Sequence, residues 1–397
     1  MQSRISIRLA LAAITAVCLV AFIAPSGASA ATKKVIAVGN AESGTVSFLD
    51  GTTYNNLGSI NVTTDQAARR LAILLNPITA IGWEVVKGQK GGERLVDDVA
   101  LSPDGKTVYV SRGMFMDTAA YSLVTKKQLW RRDIGSFNSD HMAISPDGKK
   151  LVVSATTAKK AQVIDTATGK IVDSFATGDY PHENTFSANG QRVYNFSIGT
   201  TALPYEFNDL KGEKSITVVD STNFDRIKKF DFEHGIRPSV LMDDEQSVYA
   251  QMSYERGFSE VNLNTGKEVR HFDQPATPEG QAKFWDNLPA NSAHHGLAAN
   301  AAKTVFCNAG TVDNYVSLVR RSDGATLAHI PGFKKPYWAT TSPNGGDCLI
   351  SNSEGNYISV VNYATGTVTK NVNVGKYPQR ERLGNLDTSI VLSSSAG

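Results

Sequence analysis

One stretch limits the possible folds of this chain more than any other, because it is copied. LSPDGKTVYVS at 101–111 returns as ISPDGKKLVVS at 144–154, and more faintly as FSANGQRVYNF at 186–196, LMDDEQSVYAQ at 241–251, LAANAAKTVFCN at 297–308 and TSPNGGDCLIS at 341–351. Every copy is an apolar strand, a turn and a second strand. The turn is explicit in its chemistry: Pro103 presets φ, the Asp104 carboxylate bonds nearby backbone, and Gly105 accepts positive φ. A second hairpin follows, as in VIDTATGKIVDSF at 163–175, SEVNLNTGKEVRHF at 259–272 and SVVNYATGTVTKNV at 359–372. Each unit therefore reads as four short antiparallel strands. Units of that kind repeating at about 40–45 residues spell a β-propeller.

Six units run from Leu95 to Pro378. A seventh has to be shared between the termini, with VIAVGN and TVSFLDG of residues 35–51 joined by the C-terminal segment up to Ile390-Val391-Leu392. That closure leaves no free edge strand. The expectation is an all-β, seven-bladed β-propeller of four-stranded antiparallel blades, one domain over residues 31–397.

SPDGKTVYVS, followed by a hairpin carrying Asp165-Thr166-Ala167-Thr168-Gly169-Lys170, resembles the YVTN or YncE-like repeat of bacterial propellers. The resemblance covers nearly all of residues 31–397. It is specific for fold and weak for function, since similar propellers include plain binding proteins, lactonase-like enzymes and the copper- or haem-holding domains of some denitrification enzymes.

Ahead of the repeats, Arg4 and Arg8 precede an apolar run from Leu9 to Ala24, and Ala28-Ser29-Ala30 offers the small residues that a signal peptidase needs. Residues 1–30 read as a secretory signal cleaved near Ala30, giving a periplasmic or extracellular protein. A lipoprotein site at Cys18 is the lesser reading, because Val17 stands where a small residue is required. The apolar run is short for a membrane span and no later segment is long enough, so no stable membrane anchor is expected. The chain has 40 Lys+Arg against 38 Asp+Glu, and loss of the two leader arginines leaves 38 against 38. Such balance lacks the basic field that phosphate-backbone binding requires, so nucleic acid is not expected as a partner. A monomer with a small-molecule or metal ligand is.

Aligning the units on Val108, Leu151, Val193, Val248, Val305, Cys348 and Ile390, and stepping back to the start of each innermost strand, gives seven pairs. They are Asp97-Asp98, Asp140-His141, His182-Glu183, Arg237-Pro238, His294-His295, Tyr337-Trp338 and Gln379-Arg380. Innermost strands surround the propeller axis, so these residues form a polar ring at the channel mouth. The long insertions 63–94, 197–214 and 275–293 fall on the same face.

Two chemistries compete in the ring. His141, His182 and His295 supply imidazoles suited to zinc, copper or iron, and are equally the candidates for a catalytic base. Asp98, Glu183, Arg237, His294, Trp338 and Arg380 complete the ligand-binding set, with the arginines favouring a carboxylate or phosphate. The leading expectation is a binding protein for a small ligand or metal. The alternatives are a metal- or histidine-dependent hydrolase or lyase of lactonase-like type, and a protein-interaction scaffold.

Three further signals bear on the ring's surroundings. Thr63-Thr64-Asp65-Gln66 ahead of AARRLAILL has the form of a capping box opening a helix that ends near Pro77 and covers the blade tops, while GQKGGER at 88–94 reads as a loop. Trp285 is either loop core or a ligand lid. Cys307 and Cys348 would pair in an exported protein, but the alignment sets them two residues apart in the repeat, which points the thiols away from each other. A disulfide and two separate buried thiols both remain open.

Overall fold

The computed structural model describes residues 31–283 and 292–393. The leader-like segment with Cys18, and the insertion residue Trp285, lie outside the described residues. Each repeat turn is cross-linked by its own side chains. Ser102 Oγ donates to Asp104 Oδ1 at 2.5 Å, Asp104 Oδ1 accepts the Lys106 N–H at 3.1 Å, and Ser102 Oγ accepts from the Thr107 N–H at 2.9 Å. Ser145 with Asp147, Ser187 with Asn189 and Ser342 with Asn344 repeat the link. Gly148 is required twice over. Its φ of 73° suits glycine, and a Cβ there would lie 2.4 Å from the Pro103 ring of the preceding turn.

These hairpins build, among the described residues, seven four-stranded antiparallel sheets. Six are continuous in sequence: blade 1 at 98–133, blade 2 at 139–176, blade 3 at 181–232, blade 4 at 236–272, blade 5 at 297–331 and blade 6 at 336–373. The seventh takes its innermost strand, Pro378–Asp387, from the C-terminal end and its other three, Thr32–Asn40, Thr45–Asp50 and Asn56–Asn61, from the N-terminal end. Across that seam Val35 faces Gly384 and Gly39 faces Arg380. The protein is a seven-bladed β-propeller. The closing strand ends earlier than the sequence suggests, because the chain turns at Asp387, whose carbonyl accepts the Ile390 N–H at 3.1 Å. Apolar side chains fill the spaces between blades: Val35 and Phe48 of the closing blade pack with Val99, Val110 and Tyr121 of blade 1. Each such side chain fully removed from water stabilises the ring by about 1.5–3 kcal/mol.

Cys307 and Cys348 form a disulfide between blades 5 and 6, with Cα atoms 6.5 Å apart. The expectation of opposed thiols fails through a one-residue slip in blade 5. Ala299 pairs with Phe306, as Leu101 pairs with Val108 and Thr341 with Cys348. Phe306, not Val305, is thus the residue equivalent to Val108. A slip of one turns a side chain to the opposite face, and in the true register Cys307 faces its partner.

The insertion after the third N-terminal strand holds two helices rather than one. α1 spans Gln66–Leu74 and α2 spans Pro77–Lys90. Pro77 starts a helix instead of stopping one: it sits in the first turn, where its missing N–H costs nothing, and Asn76 Oδ1 accepts from Ile78 N at 3.0 Å. The expected capping box does not form, because the Asp65 carboxylate is drawn to buried Arg112. Ile73, Trp83 and Val86 pack inward against Leu95, Met114 and Phe115. Leu71, Leu74, Leu75, Ile78 and Ile81 are exposed, so only part of the apolar surface covers the propeller. Among the described residues no single helix is long and apolar enough to cross a membrane.

Candidate functional site

The mouth of the channel is closed from above by the end of α2. Gly91, with φ 65°, stops the helix. Just before it, Lys90 reaches down into an ion pair with the wholly buried Asp97 at the start of blade 1. Arg94 is fixed by Glu42 at 2.7 Å and lies over the Tyr377 ring at 3.5 Å. Beneath this cap is a cavity of about 60 Å³, whose lining includes Asp140, His182, Arg237, His295, Tyr337 and Arg380. The sequence reading missed Lys90, since GQKGGER looked like loop. Its first three residues, Gly88-Gln89-Lys90, in fact end α2.

Three histidines from three blades converge here. His141 of blade 2, His182 of blade 3 and His295, which leads into blade 5, each offer a nitrogen, and these atoms lie within 4.8 Å of one another. His182 Nε2 and His295 Nε2 are 3.4 Å apart. The ring centroids of His141 and His182 are 4.1 Å apart, and those of His141 and His295 6.4 Å. His295 Nδ1 faces the Tyr337 carbonyl at 3.2 Å. That contact requires the proton on Nδ1 and leaves the Nε2 lone pair turned to the cluster. His141 Nε2 accepts from Arg380, whose other terminal nitrogen is held by the carbonyl and carboxylate of Asp97. His141 Nδ1 and His182 Nδ1 have no partner among the described atoms.

The electrostatics keep these rings neutral. Burial, followed by Arg380, holds His141 and His295 well below the usual histidine range, and burial with His295 and Arg237 does the same for His182. Burial and the neighbouring Asp97 push Asp140 up to about 7. Arg237, wholly buried with Nε on Ser253 Oγ at 3.1 Å, is lowered by burial to about 10 and stays charged at neutral pH.

The other residues singled out from the sequence are placed differently. Asp98 is a structural clamp: both its oxygens take Arg382, at 2.9 and 2.7 Å, and they also accept the Val99 and Met142 N–H groups. Glu183 Oε2 accepts from Ser239 N and Oγ, and burial raises its carboxyl to about 7. Trp338 stands behind the cluster, its ring 5.2 Å from that of His141 and beneath Arg380 and Arg382. His294 points elsewhere, which corrects its place in the ring. Its Nδ1 accepts the Gly257 N–H at 3.0 Å and its Nε2 lies 3.5 Å from Asp313. The slip that misplaced Cys307 also put His294 in the ring alignment, whereas His295 is the residue equivalent to Asp97 and His182. Glu381 escaped notice in the sequence. It is buried, neither carboxylate oxygen has a partner among the described atoms, and burial raises it well above the usual carboxyl range.

No family model matches the chain, and no curated protein does. A solved structure of hydrazine synthase from Kuenenia stuttgartiensis is similar, with TM-score 0.58 and 16% identity over 80% of this chain and 89% of that one. The likeness is one of fold. The YVTN or YncE-like resemblance rests on the repeat turns alone, and what the site can do is read from its own atoms. Two nitrogens bound to one tetrahedral zinc at about 2.0–2.1 Å stand about 3.3 Å apart, close to the His182–His295 spacing. The protein thus pairs a seven-bladed propeller with a three-histidine cluster fit to hold a metal ion.

Proposed function

We propose that this is an exported binding protein that holds one transition metal ion, zinc, copper or iron, on His141, His182 and His295 at the channel mouth. The observation that carries the reading is the convergence of three neutral, wholly buried imidazoles from separate blades. A single histidine at a strand start is readily explained by local bonding. Three whose nitrogens face one another, one of them fixed by a carbonyl behind it, form the donor set that a borderline metal prefers.

Three protein ligands leave a coordination position for another group, and His182 and His295 both line the cavity. On that ground a metal-dependent hydrolase or lyase is the second reading. Export rests on the leader pattern of residues 1–30, and the disulfide is in keeping with an oxidising compartment. The test is metal content by mass spectrometry on protein purified without chelators. One equivalent is expected, and it should be lost from the double variant His141→Ala/His182→Ala with the far-UV spectrum unchanged. Absence of stoichiometric zinc, copper or iron, even after incubation with each, overturns the reading.

A further inference from the structure

The ligand that shares this site with the metal can be narrowed from the charge and donor geometry of the cavity. The cavity opens beside the histidine cluster, with His182 and His295 in its lining. Its lining carries four cationic side chains, Lys90, Arg94, Arg237 and Arg380, against one acid, Asp140. Asp97 and Glu42 answer Lys90, Arg380 and Arg94 from behind. A divalent ion on three neutral imidazoles adds two further positive charges to a wholly buried place, and buried charge demands compensation.

Arg380 sharpens the point. Without metal, its guanidinium donates to the lone pair of His141 Nε2. A metal held through His141 Nε2 would take that same lone pair, so on loading the Arg380 N–H would lose its acceptor while Asp97 still holds the rest of the fork. Its Nε already has no partner among the described atoms. A displaced, buried guanidinium donor needs an oxygen, and a planar oxyanion matches its fork better than a water does.

Resting on the metal reading above, we propose that the site binds a planar oxyanion, one oxygen on the metal and another on the guanidinium groups of Arg380 and Arg237. The carboxylate, nitrite and carbonate types share this chemistry. The anion neutralises the buried ion and restores the bond that Arg380 gives up.

The experiment uses full-length protein loaded with copper(II) or cobalt(II), titrated separately with formate, nitrite and bicarbonate and followed by visible absorption and calorimetry. Saturable one-to-one binding of at least one anion is expected, with a shift of the metal bands. Arg237→Lys and Arg380→Lys, which keep the charge but lose the fork, should weaken that binding at least about tenfold while the metal content stays at one equivalent. Lys90→Gln, a change at the cavity's edge, provides a second variant should the buried substitutions unfold the protein, and should weaken the anion several-fold. Metal bound with no band shift and no heat for any of the three anions overturns this inference and leaves the metal reading standing. Failure to bind metal overturns both.

Discussion

His294 and His295 are neighbours in sequence, both buried and both kept neutral mainly by burial, yet they belong to different parts of the molecule. Around His294 the protein supplies every partner: Gly257 and Asn308 on one ring nitrogen, Asp313 and Tyr315 on the other. Asp313 is in turn held by Arg256 and Thr277, so this ring is one knot in a network that ties the insertion to blade 5. Around His295 the protein supplies one partner, the Tyr337 carbonyl, and turns the other nitrogen onto a second imidazole. A residue whose bonding is complete contributes stability. One whose second nitrogen meets only another imidazole contributes a donor atom to the three-histidine cluster.

The contrast can be broken most sharply by exchanging the two losses. His295→Ala should cut metal affinity by more than about 100-fold, beyond the 10- to 100-fold typical of residues behind a ligand, with little change in thermal stability. His294→Ala should do the reverse, keeping the metal while costing about 2–3 kcal/mol in denaturant melts, because the Gly257 N–H and the Asp313 carboxylate lose a buried partner. Equal metal loss in both variants would erase the distinction. A comparable cost of about 2–4 kcal/mol is expected on removing the disulfide with Cys307→Ala/Cys348→Ala. That bond spans blades 5 and 6, as does the contact from His295 to Tyr337, so metal affinity should also fall several-fold. An unchanged affinity would show the His295 contact to be independent of the seam.

The smallest effect tests the buried acid beside the ring. Glu381 is raised well above the usual carboxyl range by burial, with Arg382 opposing. The unfolded chain ionises it near the ordinary value, while the folded one keeps the proton. Folding therefore takes up a proton in that interval, and stability falls as pH rises from the unfolded value toward the folded one. Glu381→Gln removes the slope. It should match the parent below about pH 4 and exceed it by a margin that grows as pH rises toward 8 in urea titrations. A gap that does not change with pH would show Glu381 to be ionised in the folded protein.

The ring of blades was legible because its grammar is local. Pro103, Asp104 and Gly105 dictate a turn wherever they recur, and the unpaired strand-like runs at the two ends have no other way to be satisfied. The meeting of His141, His182 and His295 was legible for a related reason, since the two residues that open each innermost strand lie nearest the axis, although His141 sits one place along from the position that His182 and His295 share. What failed was register. Blade 5 lacks the SPDG turn, its alignment slipped by one, and the single slip misplaced His294 and turned Cys307 away from Cys348. The second helix was hidden by Pro77, which reads as a stop unless the capping Asn76 before it is given weight. With α2 went Lys90, whose role depends on a helix delivering it over the axis.

The closing blade sets the order in which this protein is finished. Its innermost strand follows every other described strand in the sequence, and Arg380 lies on it. Until that strand reaches Thr32–Asn40, one edge of Thr32–Asn40 stays unpaired, the situation in which chains join one another. The cavity also lacks one of its walls until then. A chain cut before residue 378 would thus keep six blades and every histidine of the cluster, yet lack the arginine that walls them in.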